Sequence, residues 1–144
     1  ESGRLPTSRG AIRVNMTTPT RFPIRYNPAA RVLLGAIFIR PTGSFVEVSE
    51  REVSVRMGWG FRASFARSSV VRCSEGIKGI LLGLGIHGFG GKWLVNGSLD
   101  GLVSLQLSPA QRAYVLGVPV KLRELQVSLV EPEALLNVLQ ATPA

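Results

Sequence analysis

The chain has 144 residues, one Cys, one His, nine Asp/Glu and 17 Lys/Arg, for a formal charge of +8 and a pI near 11.1. That length suits one domain, large enough to bury a core without a metal or disulfide staple. A lone Cys73 excludes a disulfide framework and a cysteine zinc site, a lone His87 excludes multi-histidine metal centres, and few carboxylates leave little for paired acid–base chemistry.

The first 31 residues carry Arg4, Arg9, Arg13, Arg21, Arg25 and Arg31 against Glu1 alone. Residues 1–20 lack periodic apolar positions and read as a flexible basic arm. Met16, followed by Thr17-Thr18-Pro19, has the look of a translation start, so residues 1–15 read as appended or upstream sequence. Residues 21–144 read as one β-rich domain. Asn27 to Phe38 is ambiguous: Pro28-Ala29-Ala30 opens like a helix, while Ile37-Phe38-Ile39 prefers a strand.

Strict alternation begins next. A strand at Phe45–Ser49 turns through Ser49-Glu50-Arg51-Glu52 into a hairpin spanning Val53 to Phe65, with Val53, Val55, Met57, Phe61, Ala63 and Phe65 on one face. Odd positions point inward on both strands, so the loop has an odd length, and Gly58-Trp59-Gly60 supplies three residues. Gly60 is the expected left-handed glycine. This register pairs Met57 with Phe61, Val55 with Ala63 and Val53 with Phe65, and it sets Arg56 opposite Arg62 on the outer face.

Ser68 to Cys73 reads as a strand, followed by a glycine-rich loop over residues 76–91 that contains Lys78 and His87. Strands are expected at Lys92–Asn96, Leu102–Leu107 and Leu125–Val130. Asn96-Gly97-Ser98-Leu99-Asp100-Gly101 is turn chemistry and predicts a hairpin between the first two. Pro109 and Pro119 suit edges or loops. Glu131-Pro132-Glu133 starts a helix over residues 131–141, with Leu135, Val138 and Leu139 on its apolar face. No apolar run approaches the ~20 residues of a spanning helix, so the expected location is the cytoplasm or the periphery of a membrane.

Meandering strands closed by one terminal helix predict a mainly β fold, an antiparallel barrel or sandwich. The phrases Val46-Glu47-Val48, Val53-Ser54-Val55-Arg56-Met57-Gly58-Trp59 and Val127-Ser128-Leu129-Val130-Glu131-Pro132-Glu133-Ala134-Leu135 resemble small uncharacterised bacterial proteins, of actinobacterial type, with the pleckstrin-homology-like fold. The resemblance spans about residues 45–140. It implies a non-enzymatic binding or scaffold module that engages a protein or an anionic ligand, and it extends to homo-oligomers. It contains no ligand motif that transfers residue by residue, and a fold alone does not give function.

Three constellations remain. Gly83-Leu84-Gly85-Ile86-His87-Gly88 spells GxGxxG, but Phe89-Gly90-Gly91 starts no helix and no acid follows at the required offset. Cys73 after Arg72 has a cation to lower its pKa, yet sits in a strand where a small core residue is the simpler reading. Neither Cys73 nor His87 has a partner at ligand spacing, so no cofactor, metal or catalytic residue is expected. The remaining candidates bind anions or partners: Arg56, Arg62 and Trp59 on the hairpin, with Lys78 and Lys92 around the glycine-rich segment. The alternative function is a nucleic-acid-binding β-barrel, with arginines on phosphates and Trp59 stacked on a base.

Overall fold

A computed structural model describes residues 19–76 and 85–140. The expected arm over residues 1–20 falls almost wholly outside them, as does Lys78. The described strands are β1 (Thr20–Pro23), β2 (Ser44–Val48), β3 (Glu52–Met57), β4 (Phe61–Ala66), β5 (Val70–Glu75), β6 (Gly85–Phe89), β7 (Lys92–Asn96), β8 (Leu102–Val115) and β9 (Val118–Ser128). Helix α1 spans Pro28–Gly35 and helix α2 spans Pro132–Gln140. The fold is mainly β, with one sheet ordered β1-β2-β3-β4-β8-β9-β7-β6 and β5 paired to β8. That order has two ends and does not form a ring of ladders.

Alternation builds the core. Phe22, Val46, Val55, Ala63 and Ala113 form one buried row across five antiparallel strands, each facing the next in register. The β3–β4 register is the expected one at every pair: Val53 with Phe65, Val55 with Ala63, Arg56 with Arg62, Met57 with Phe61. The loop differs in one detail. Gly58 takes the left-handed conformation at φ +54. Gly60 is required for space, since a Cβ there meets the Ile86 and Ile39 Cδ1 atoms at 2.7 and 2.9 Å.

The ambiguous segment is a helix over Pro28–Gly35 and a turn over residues 36–38. Asn27 Oδ1 accepts from the Ala30 amide at 2.8 Å and Pro28 opens the first turn, so capping decides against a strand. At the other end of the chain, α2 packs on β5 and β8, and Leu135 is fully buried. Arg67 donates to the Val138 carbonyl near its C-terminus, where orphan carbonyls face a cation well.

Three expectations are corrected. The strands at Lys92–Asn96 and Leu102–Leu107 do not pair with each other. β9 lies between them, parallel to β7 and antiparallel to β8. The cause is that β8 and β9 run on to 14 and 11 residues and pair through the two-residue turn Leu116-Gly117, which takes one edge of β8 while β4 and β5 take the other. Secondly, Pro109 and Pro119 lie inside strands. Pro109 sits at the register break of β8, and Pro119 faces Tyr114 one pair beyond the turn, a pair that exchanges no ladder bonds, so its missing N–H breaks none. Thirdly, the segment 76–91 is not loop throughout, because Gly85–Phe89 forms β6 against β7 and His87 stands on it opposite Leu94. Gly88 belongs there because the Trp93 ring covers it, and a Cβ would lie 2.2 Å from Trp93 Cδ2.

Candidate anion-binding surface

Side chains at outer-face positions of β3, β4, β8 and β9 follow from the same alternation. Arg56 faces Arg62, and Arg62 faces Tyr114, whose β9 neighbour is Pro119. Two residues along, Arg112 faces Lys121. Two like-charged cross-strand pairs therefore lie on one surface. Like charges directly opposite each other are destabilising, and none of these four cations makes an ion pair with a described residue. Arg21 contrasts with them: its guanidinium reaches Glu47 Oε2 at 2.8 Å on the same face of the sheet.

The pair is not loose. The Arg62 guanidinium carbon stands 5.0 Å from the Tyr114 ring centroid, a cation–π contact that holds one arginine upright. Trp59 Nε1–H donates to the Ile37 carbonyl at 2.7 Å, which fixes the indole while more than half of the residue stays exposed. Arg56, Gly58, Trp59, Arg62, Tyr114 and Gly117 line a depression of about 230 Å³. It offers two guanidiniums and two aromatic rings within one small hollow, the donor set for an oxyanion on a larger partner.

The structure thus brings together Arg56, Arg62 and Trp59. It does not bring Lys92 to them: Lys92 opens β7, beyond β8 and β9 in the sheet, opposite Glu124. Lys78 lies outside the described residues. Tyr114, Arg112 and Lys121 were missed in the sequence because the prolines at 109 and 119 disguise the strands that carry them.

The other candidates stay apart. Cys73 is on β5 and His87 on β6, with β8, β9 and β7 between those strands in the ladder order. Burial pushes the Cys73 thiol pKa up, with a hydrogen bond from Gln140 opposing it, which is the reverse of what activation by Arg72 would do. Among the described residues no group of three His, Cys, Asp or Glu side chains is placed to hold a metal ion. No described helix is long and apolar enough to cross a membrane. Compared with known protein families, curated proteins and solved structures, the chain finds no match in any of the three.

Proposed function

We propose that this chain is a non-enzymatic binding module that engages an anionic partner through the outer face of β3, β4, β8 and β9. The observation that carries the reading is the pair Arg56–Arg62 across the hairpin, which no acid faces, beside the Tyr114 ring and the fixed, exposed Trp59 indole. A surface selected only for stability sets an acid opposite one of these arginines, as it does for Arg21 and Glu47. The pleckstrin-homology-like barrel belongs to the same proposal. Its support is the β1–β4 meander, the terminal helix, and the Ile24–Leu129 bridge with Arg25 N to Ser128 O at 2.9 Å and Val130 N to Pro23 O at 3.1 Å. The parallel β7–β9 pair departs from that plan.

The test is the salt dependence of binding to inorganic polyphosphate. Arg56→Ala with Arg62→Ala is expected to weaken affinity and flatten the plot of log affinity against log salt by roughly one unit per lost phosphate contact. An unchanged slope removes the hairpin from the reading. A nucleic-acid interface is the second reading, favoured by Trp59 and Tyr114 lining the same hollow. It requires Tyr114→Ala to weaken binding of a single-stranded oligonucleotide more than that of polyphosphate, because only bases stack.

A further inference from the structure

Three turns meet at the end of the sheet beside this hollow. The Trp59 indole binds the Ile37 carbonyl, tying the β3–β4 loop to the turn after α1. The Leu116 amide donates to the Gly60 carbonyl at 2.9 Å, tying the β8–β9 turn to the same loop. Each turn points a large apolar side chain into solvent: Phe38 is 70% exposed, Trp59 57%, Leu116 58% and Val118 59%.

Two of these residues stand on unfavourable backbone. Phe38 has φ 66 and Leu116 has φ 51, in the left-handed region that bulky side chains rarely enter. Leu116 opens a two-residue hairpin turn in which Gly117 also has positive φ, the position where Asn or Gly is favoured. Strain and apolar exposure thus coincide at both tips, and neither stabilises the isolated chain.

The charge around the tips selects the occupant. The segments 36–46, 55–63 and 112–121, which build this end, contain no Asp or Glu. The Arg40 guanidinium stands 5.6 Å from the Phe38 ring centroid, and Arg56 and Arg62 line the hollow beside Trp59. A second copy of the chain would bring like charges together. Nucleic acid makes poor use of Leu116 and Val118, which have no ring to stack on a base. A bilayer boundary takes Phe, Trp, Leu and Val alike, and its anionic headgroups take the arginines.

We propose that the tips at Phe38, Trp59 and Leu116 dock this end of the sheet on an anionic lipid surface, the apolar side chains entering the headgroup boundary while Arg40, Arg56 and Arg62 contact lipid phosphates. The proposal rests on the cationic-face reading and adds the source of the phosphate. It is tested with the full chain by sedimentation on vesicles of phosphatidylcholine alone and of phosphatidylcholine with phosphatidylserine, alongside inorganic polyphosphate. Asn tolerates left-handed backbone, so Phe38→Asn with Leu116→Asn keeps the fold, and its melting temperature is expected to hold or rise. Binding to the phosphatidylserine vesicles is expected to fall about tenfold, with polyphosphate binding unchanged. The single variant Leu116→Asn moves both readouts the same way, by less. Vesicle binding unaffected by the double variant overturns the proposal and leaves the cationic face standing. So does binding to polyphosphate without binding to vesicles. A dimer that the double variant dissociates, with no vesicle binding, overturns it in favour of self-association. Binding to neither probe defeats this proposal and the cationic-face reading together.

Discussion

Arg56 and Arg62 occupy directly opposed positions on the β3–β4 hairpin, and only Arg62 has a compensating contact, the ring of Tyr114. The two arginines are therefore unequal in energy although the register makes them symmetric. Arg56→Ala relieves a like-charge pair and removes nothing else that the described residues show. Unfolding in urea at low salt is expected to give a gain of ~0.2–1 kcal/mol for it. Arg62→Ala relieves the same pair but loses a surface cation–π contact of ~0.5–1 kcal/mol, so its net change is near zero. The gain from Arg56→Ala fades as salt screens the pair. Equal effects from the two variants would remove the role given to Tyr114.

The hairpin register was legible in the sequence for a physical reason. Apolar residues at odd positions on both strands force an odd loop, and only one pairing then puts Val53, Val55 and Met57 against Phe65, Ala63 and Phe61. Nothing comparable announces which distant strands become neighbours. The insertion of β9 between β7 and β8 depends on the turn at Leu116-Gly117, where a leucine stands in place of the favoured asparagine. Pro109 and Pro119 then broke the alternation that would have revealed both long strands. The hollow around Trp59 was half legible for the same reason: Arg56, Trp59 and Arg62 lie on the legible hairpin, while Tyr114 lies on β8.

The Gly88–Trp93 contact gives a prediction about packing. The indole lies over Gly88, and its Nε1–H donates to the Lys121 carbonyl at 3.2 Å, so the ring cannot retreat without losing a bond to β9. Gly88→Ala is expected to destabilise the chain by ~1–3 kcal/mol through overpacking. Gly90→Ala is the control. Its Cβ meets nothing within 4 Å, and only its φ of +64 opposes the substitution, at a cost of ~1–2 kcal/mol. Trp93 emission should shift in the first variant and stay in place in the second. A Gly88→Ala protein with unaltered emission would show that the ring adapts.

Cys73 gives a pH-dependent readout. Desolvation raises its pKa, with the Gln140 hydrogen bond acting against the shift. A thiol whose folded-state pKa lies above its unfolded value is favoured while protonated. Its contribution to stability is fully present below the unfolded pKa and is lost as pH rises through the folded one. The alkylation rate of folded Cys73 against pH is expected to have a midpoint above that of the urea-unfolded chain. Gln140→Ala removes the opposing bond, which moves the folded midpoint higher still. A folded midpoint below the unfolded one would indicate an activated thiol and reopen the case for chemistry at Cys73.

The terminal helix supplies the last prediction. Leu135 is fully buried at the centre of α2, while Ala134, Leu136, Val138 and Leu139 are half-buried against the same core. The helix is only nine residues long, too short to persist alone in water, so its stability comes from this packing and from the Arg67 bond to the Val138 carbonyl. Leu135→Ala is expected to destabilise the whole domain by ~2–5 kcal/mol, the usual range for emptying a closed leucine site. Arg67→Ala should lose ~1.5–3 kcal/mol, since a charged donor leaves both the Val138 and Ser49 carbonyls. If α2 is a core element, both variants lower a single cooperative transition seen by far-UV ellipticity and by tryptophan emission together. If instead ellipticity is lost first while Trp59 and Trp93 emission keeps the parent midpoint, α2 docks on a sheet that is stable without it.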